Sequence, residues 1–508
     1  MTPLALRSSA VDLFSLQRSL SSSTLASSSR TVISLAHSKK SKQTQTHDPP
    51  PGTSVLTRLR FSDASYTPSP ASVVYRSDWD GNVANAENLW HDVAAAFNLA
   101  LRWKISSDTT FADTASNILH AWATKLTALG GGDDKYLTAG LQGYQLANAA
   151  ELLRDYEPFA TKVLPSVIDM ANTVFIPMHY KWLRHEEPSQ HNILHFFANW
   201  ELCNVASAMA MGVLTDNQTV WDFAVEYFKE GEGTGSIHNA ITDIVEEPGT
   251  GAPLGQGQEA GRDQGHSALD VQLLAVVGQQ AWNQGEDLFA LNDSRILRGA
   301  EYWARYNLGH DDPFVPYSNG IVSFTELSSA SRGAMRPTWE LLYNHYVTIK
   351  GMDAPWTTKF LNESLNYYGG AEGGAGSWGE GSGHYDGLGW GSLLHRLDRE
   401  DVAAQGSGAN TLIASPNDKA TSKLPQSTPD ASRAGSSGAN STSMSTSVAS
   451  STPTPLSSPS SPLPGTSTPA STPDSQPTPC PPEAGQKPSH RAHRHSHHGR
   501  KHGRCHAP

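Results

Sequence analysis

The chain has 508 residues, 37% hydrophobic and 17% charged, with a formal net charge of −12. Residues 1–60 carry eight Lys/Arg against two Asp/Glu and residues 401–508 nine against five; removing those +6 and +4 contributions leaves −22 for residues 61–400. So acidic a middle excludes diffuse nucleic-acid binding, which needs clustered basic residues; no run approaches the ~20 apolar residues of a membrane span, and three cysteines are too few for a disulfide framework.

Residues 1–60 are Ser-rich and lack apolar periodicity, and Arg, Ser and Asp interrupt any apolar h-region, so they read as a disordered extension, a transit-like segment or a mis-assigned first exon. From Asn88 the pattern turns helical. Apolar residues at three- and four-residue spacing predict helices over 88–105, 109–129, 140–156, 190–214 and 216–230. After the Gly/Pro loop EEPGTGAPLGQGQ, further helices are predicted over 259–284, 293–307, 334–350 and 356–367. Only a short stretch near Ile321–Leu327 reads as strand. Helix pairs joined by Gly-rich loops predict an all-α fold, an α/α toroid or incomplete helical barrel spanning residues 61–400.

Residues 369–391 (GGAEGGAGSWGEGSGHYDGLGWG) are too rich in glycine for regular structure. Trp378, Tyr385 and Trp390 would offer faces to sugar rings there, or else pack a terminal loop. Residues 401–508 read as a Ser/Thr/Pro-rich stalk with a His/Arg-rich tail, the tail solvated or else a binder of metal or of anionic cell-wall polymer. Seven of the 21 histidines lie in that tail, so the histidine count says little about the domain. Cys203 reads as a buried small hydrophobe, while Cys480 and Cys505 flank the tail and would pair only in an oxidising compartment. N-x-Ser/Thr triplets at Asn217, Asn292, Asn362 and Asn440 are compatible with secretion.

Two polar stripes carry the chemistry. Asn192, His195 and Asn199 stand at i, i+3 and i+7 and share one helical face beside the apolar Phe196, Trp200 and Cys203. Glu259, Arg262 and His266 repeat the spacing, with Gly261 and Gly265 hinting that bulk is unwelcome. The plain alternative is an ordinary Glu259–Arg262 ion pair with His266 exposed.

The pieces AENLWHDVAAAFNLALRWKI, HNILHFFANWELCNVASAMAMGVL, GQGQEAGRDQGHSALD and GSGHYDGLGWGSLLHRLD, within Asp63 to Leu397, resemble the alginate-lyase-like domain of polysaccharide lyases, closest to the glucuronan lyase branch. The resemblance implies an α/α toroid and an extracellular or wall-associated enzyme that cleaves an acidic polysaccharide by β-elimination, without redox cofactor or metal. It further implies that Asn192 and Arg262 neutralise the uronate carboxylate, and that His195 and His266 act as base or hold the carboxylate. Tyr317, in the loop DDPFVPYSNG, is the first choice of proton carrier, with Tyr144, Tyr306 and Tyr385 behind it. Asn199, Glu259, Tyr144, Trp200, His384 and Tyr385 are the expected substrate contacts. Two rival readings remain open: a toroidal glycoside hydrolase drawing a carboxylate pair from Glu201, Asp263, Glu326 and Glu380, and a non-catalytic wall-binding module.

Overall fold

A computed structural model describes residues 52–397. The Ser-rich start, the stalk and tail, Cys480, Cys505 and the Asn440 triplet lie outside the described residues. The helices that frame the site are α1 (Ala86–Ser106), α2 (Thr109–Lys125), α3 (Lys135–Leu152), α4 (Ile176–Leu183), α5 (Ala198–Leu214), α6 (Gln218–Glu230), α7 (Gln264–Asn283), α8 (Leu291–Asn307), α9 (Trp339–Tyr343) and α10 (Pro355–Tyr367). Side-chain caps start three of them. Asp108, Asn217 and Asp263 accept from Thr110, Val220 and His266 backbone N–H groups, satisfying donors that a helix start leaves free.

Burial separates the helices into two layers. α3 and α5 are buried nearly all round, whereas α2 and α6 bury one face only, as an outer helix should. The inner helices run parallel: Tyr136 and Gly143 of α3 meet Asn204 and Met211 of α5 in that order, and Ala206 of α5 meets Gln280 of α7 further along than Asn199 meets Glu259. The outer helices return antiparallel, since α1 meets α2 through Asp92–Trp122 and Arg102–Phe111, and Gly212 of α5 abuts Trp221 of α6. This alternation is the α/α toroid expected from the sequence, and it brings the N-terminal ends of α3, α5 and α7 to one side.

α3 and α5 approach closely because Gly140 and Gly143 lack side chains; a Cβ on Gly140 would stand 2.3 Å from Cys203 Sγ and 2.8 Å from its carbonyl carbon. Cys203 is fully buried, as its apolar surroundings suggested. The two ends of the glycine-rich segment are packed, while Trp378 and His384 between them are partly exposed. Trp390 and Tyr385 are buried, with Trp390 Nε1 donating to Asn98 Oδ1 of α1 (2.8 Å) and Gln145 Nε2 of α3 donating to the Tyr385 carbonyl (2.8 Å). At its start Glu372 accepts from the backbone N–H groups of Trp339 and Glu340, so the segment clasps α1 and α3 to α9.

Three short pairings complete the fold: β1 (Val73–Tyr75) runs parallel to β2 (Ala128–Gly130), β3 (Ile241–Glu246) antiparallel to β4 (Pro253–Gly257), and β5 (Tyr317–Ser318) antiparallel to β6 (Ser323–Phe324). The EEPGTGAPL stretch, read as a plain loop, is the tip and second strand of the β3–β4 hairpin. Four helix starts also need correction: the helix expected from residue 140 begins at Lys135, and the one expected from 334 begins at Trp339. The helix expected from residue 190 begins at Ala198, and the one expected from 259 begins at Gln264.

Candidate active site

The late helix starts at Ala198 and Gln264 have the same cause, side chains that take backbone groups a helix would use. Asn192 Oδ1 accepts from Leu194 N (3.0 Å), while Asn319 Nδ2, reaching over from the β5–β6 turn, donates to the carbonyls of Leu194 (2.8 Å) and His195 (3.3 Å). Asn192 Nδ2 returns a bond to the Asn319 carbonyl (2.9 Å). Asn192 and His195 therefore lie in a braced loop, not on a helical face with Asn199, and the Asn192 amide is largely spent on that brace. In the second segment the Asp263 side chain captures His266 N–H at 2.9 Å and fixes the first helical residue at Gln264.

The predicted residues nonetheless converge. Glu259, with no solvent exposure, accepts from Asn199 Nδ2 (2.5 Å), Asn199 N (3.1 Å) and Arg262 Nη1 (2.7 Å). Arg262 Nη2 lies 3.2 Å from His266 Nε2, and His266 Nδ1 lies 2.6 Å from Asp263 Oδ2. An N–H of Arg262 donates to Nε2, so Nδ1 carries the ring proton and donates to Asp263. Burial pushes the Asp263 carboxyl up, but hydrogen bonds from the His266 ring and backbone outweigh it and hold it below the usual range. Arg262 packs over the Phe197 ring at 4.0 Å, which leaves one N–H on each terminal nitrogen uncommitted at a partly exposed edge. Behind Glu259 stands Asp270, whose two oxygens are buried without a donor; burial and the Glu259 charge raise its carboxyl well above the usual range. Gly261 is required here, since a Cβ would fall 2.4 Å from Phe324.

His195 is held by stacking. Its ring lies on Phe196 (centroids 4.5 Å, 14°), which packs against Trp182 and Trp200. Its Nδ1 is buried without a partner, and a bare lone pair there costs less than a bare N–H, which directs the ring proton to Nε2. Tyr317, on β5, accepts a hydrogen bond from Gln258 Nε2 at 2.9 Å. Burial raises the phenol pKa, the Gln258 bond lowers it, and the Glu259 charge raises it.

Other expected residues stand elsewhere. Tyr144 is wholly buried in α3, with its hydroxyl donating to the Asp386 carbonyl (2.8 Å), because α3 is covered by the clasp. Tyr385 is buried against Phe61, Trp90 and His91, and Tyr306 packs under Arg332 at 3.8 Å. None of these three phenols is presented to solvent. Trp200 supports the aromatic stack behind His195, and His384 is partly exposed beside Trp378 in the clasp. Glu201, offered for a hydrolase, is buried and committed to Tyr227 (2.6 Å), His185 (3.0 Å) and Gly235 N (2.8 Å). The sequence reading missed Gln258, Asn319 and Asp270 as site residues; Asp263 had a legible signal, being three residues ahead of His266 at a helix start.

Against known proteins, the family model described as Alginate lyase matches residues 38–314. The chain belongs to the alginate lyase family. Its class of chemistry is therefore that of a polysaccharide lyase, a carbon–oxygen lyase acting on acidic polysaccharide. Among solved structures it is similar to alginate lyase A1-III from Sphingomonas species A1 (14% identity, 73% of this chain and 94% of that one, TM-score 0.41). It is likewise similar to a histidine-to-alanine variant of alginate lyase A1-III complexed with tetrasaccharide (12%, 70% and 91%, 0.44) and to an alginate lyase from Bacteroides ovatus (14%, 50% and 75%, 0.37). No curated protein matches. Among the described residues no helix is long and apolar enough to cross a membrane, and no group of three His, Cys, Asp or Glu is placed to hold a metal ion.

Proposed function

We propose that this alginate-lyase family member cleaves a glucuronan- or alginate-type uronan by β-elimination at the Arg262–His266–Tyr317 site, and that it works outside the cell or at the wall. The observation that carries the reading is the Glu259–Arg262–His266–Asp263 chain, a guanidinium fixed on one side with uncommitted N–H groups on the other. A fork of that kind binds a carboxylate bidentately and draws charge from it, which acidifies the C5 proton. His266, with its ring oriented by Asp263, takes the C5 proton at Nε2 once Arg262 turns to the substrate. Tyr317 gives its proton to O4 as the C4–O4 bond breaks, leaving a C4=C5 double bond at the new chain end. His195 Nε2–H supplies a second donor to the carboxylate, Asn199 and Glu259 hold Arg262, and Asn192 braces the loop.

Glucuronan is the preferred polymer because the sequence pieces resemble that branch most closely. The test is the ultraviolet absorbance of the unsaturated product against a panel of purified glucuronan, alginate and neutral glycans. Absorbance should rise with a uronan and vanish in Arg262→Lys, which keeps a cation beside buried Glu259 but loses the bidentate fork, and whose melting curve should stay closer to the parent's than that of Arg262→Ala. New reducing ends without absorbance would replace the lyase reading with hydrolysis.

A further inference from the structure

The amide of Gln258 has its orientation fixed from both ends, and one of those ends is the Tyr317 phenol. The side chain is 1% exposed, and its Oε1 accepts from the backbone N–H of Ala198 at 3.0 Å, where α5 begins. Only an oxygen can accept that bond, so the NH₂ end is obliged to face Tyr317, 2.9 Å from the phenol oxygen. Gln258 N–H therefore donates and the Tyr317 oxygen accepts. The Tyr317 proton has no acceptor on Gln258 and must be directed elsewhere.

Resting on the lyase reading above, we propose that Gln258 is a positioning residue that commits Tyr317 to the general-acid half of the reaction. By donating to the phenol oxygen it turns the O–H away from the protein and toward the leaving O4. When that proton passes to O4 and the C4–O4 electron pair leaves with the departing sugar, the same Gln258 N–H bonds the phenolate left behind. This support is greatest in the charged state, so it favours the transfer more than binding. The bond also ties the proton carrier on β5 to the turn that holds Glu259 and to the first residue of α5, keeping the acid in register with Arg262.

Gln258→Glu tests this with little change of shape. The carboxylate still accepts from Ala198 N–H, but its other oxygen now accepts from Tyr317, reversing the polarity of that bond. Turnover of polymer should fall about 100-fold, as when a donor to a developing anion is removed, with KM within about threefold. On a synthetic uronide bearing an aryloxy group at C4, which departs without a proton, the loss should shrink to about threefold. That second rate also reports whether the variant is folded. Equal losses on both substrates, or undiminished turnover of polymer, would overturn the role of Gln258. Full polymer activity in Tyr317→Phe would instead remove Tyr317 as the acid, and this inference with it; a Tyr317→Phe variant impaired on polymer alone supports both.

Discussion

Arg76, just after β1, is a cation that sequence patterning did not single out. Its Nη1 is buried without a partner, its guanidinium lies 6.0 Å from the Trp90 ring, and Trp90 Nε1 is likewise buried without a partner. Buried donors are almost always satisfied, so two such donors side by side are suited to an acceptor on a ligand. On the proposed uronan reading, a substrate carboxylate would be such an acceptor. Arg76→Ala should raise KM for long chains about tenfold, equivalent to about 1.4 kcal/mol, with kcat within about twofold. An unchanged KM in initial-rate assays would remove Arg76 from the binding surface. Residue identity was the part of the site most open to sequence reading: Arg262, His266, Asn199 and Glu259 do meet. Gln258 and Asn319 were not open to it, because each acts on a residue about 60 or more positions away.

At the scale of elements, periodicity located most helices, with α1, α6 and α10 falling within two residues of expectation. It failed at the helix starts that build the site, because Asn192, Asn319 and Asp263 compete for backbone groups and their bonds leave no mark on apolar spacing. The two stripes consequently converge through tertiary contact, not through a shared helical face. It also passed over 157–183, where Glu157–Lys162, Leu164–Met170 and α4 are separated by a wider turn at Ala171–Phe175. The Gly140 contact gives the test of helix packing. Gly140→Ala should gain up to about 1 kcal/mol of helix propensity yet lose about 1–3 kcal/mol by forcing α3 from α5. A lower urea midpoint is expected; a higher one would mean that the interface yields freely.

At the scale of the molecule, the clasp depends on one buried carboxyl. Burial, and then the nearby Glu340 charge, push Glu372 up to about 7 from an ordinary 4.5, although Ser364 and two backbone N–H groups favour its ionised form. The folded state thus holds the proton more tightly than the unfolded chain. The contribution to stability is fully present below pH 4.5 and is lost as pH rises through 7, by about 3 kcal/mol at most. Glu372→Gln should gain on the parent between pH 5 and pH 8 in urea titrations. A constant difference between the two proteins across that range would mean that Glu372 is not the titrating group.

The clasp also sets an order of events. Asn98 and Trp390 are separated by 292 positions, and Tyr144 and Asp386 by 242. During vectorial synthesis the helices around the ring emerge long before the segment that joins its first and last members. Contacts of such high sequence separation are slow to form, so the clasp is expected to close after the local helix pairs, once residues 371–395 have arrived. A ring that closes last exposes its interior longest, which makes the final thirty or so residues of the domain the interval in which a nascent chain has most need of a chaperone.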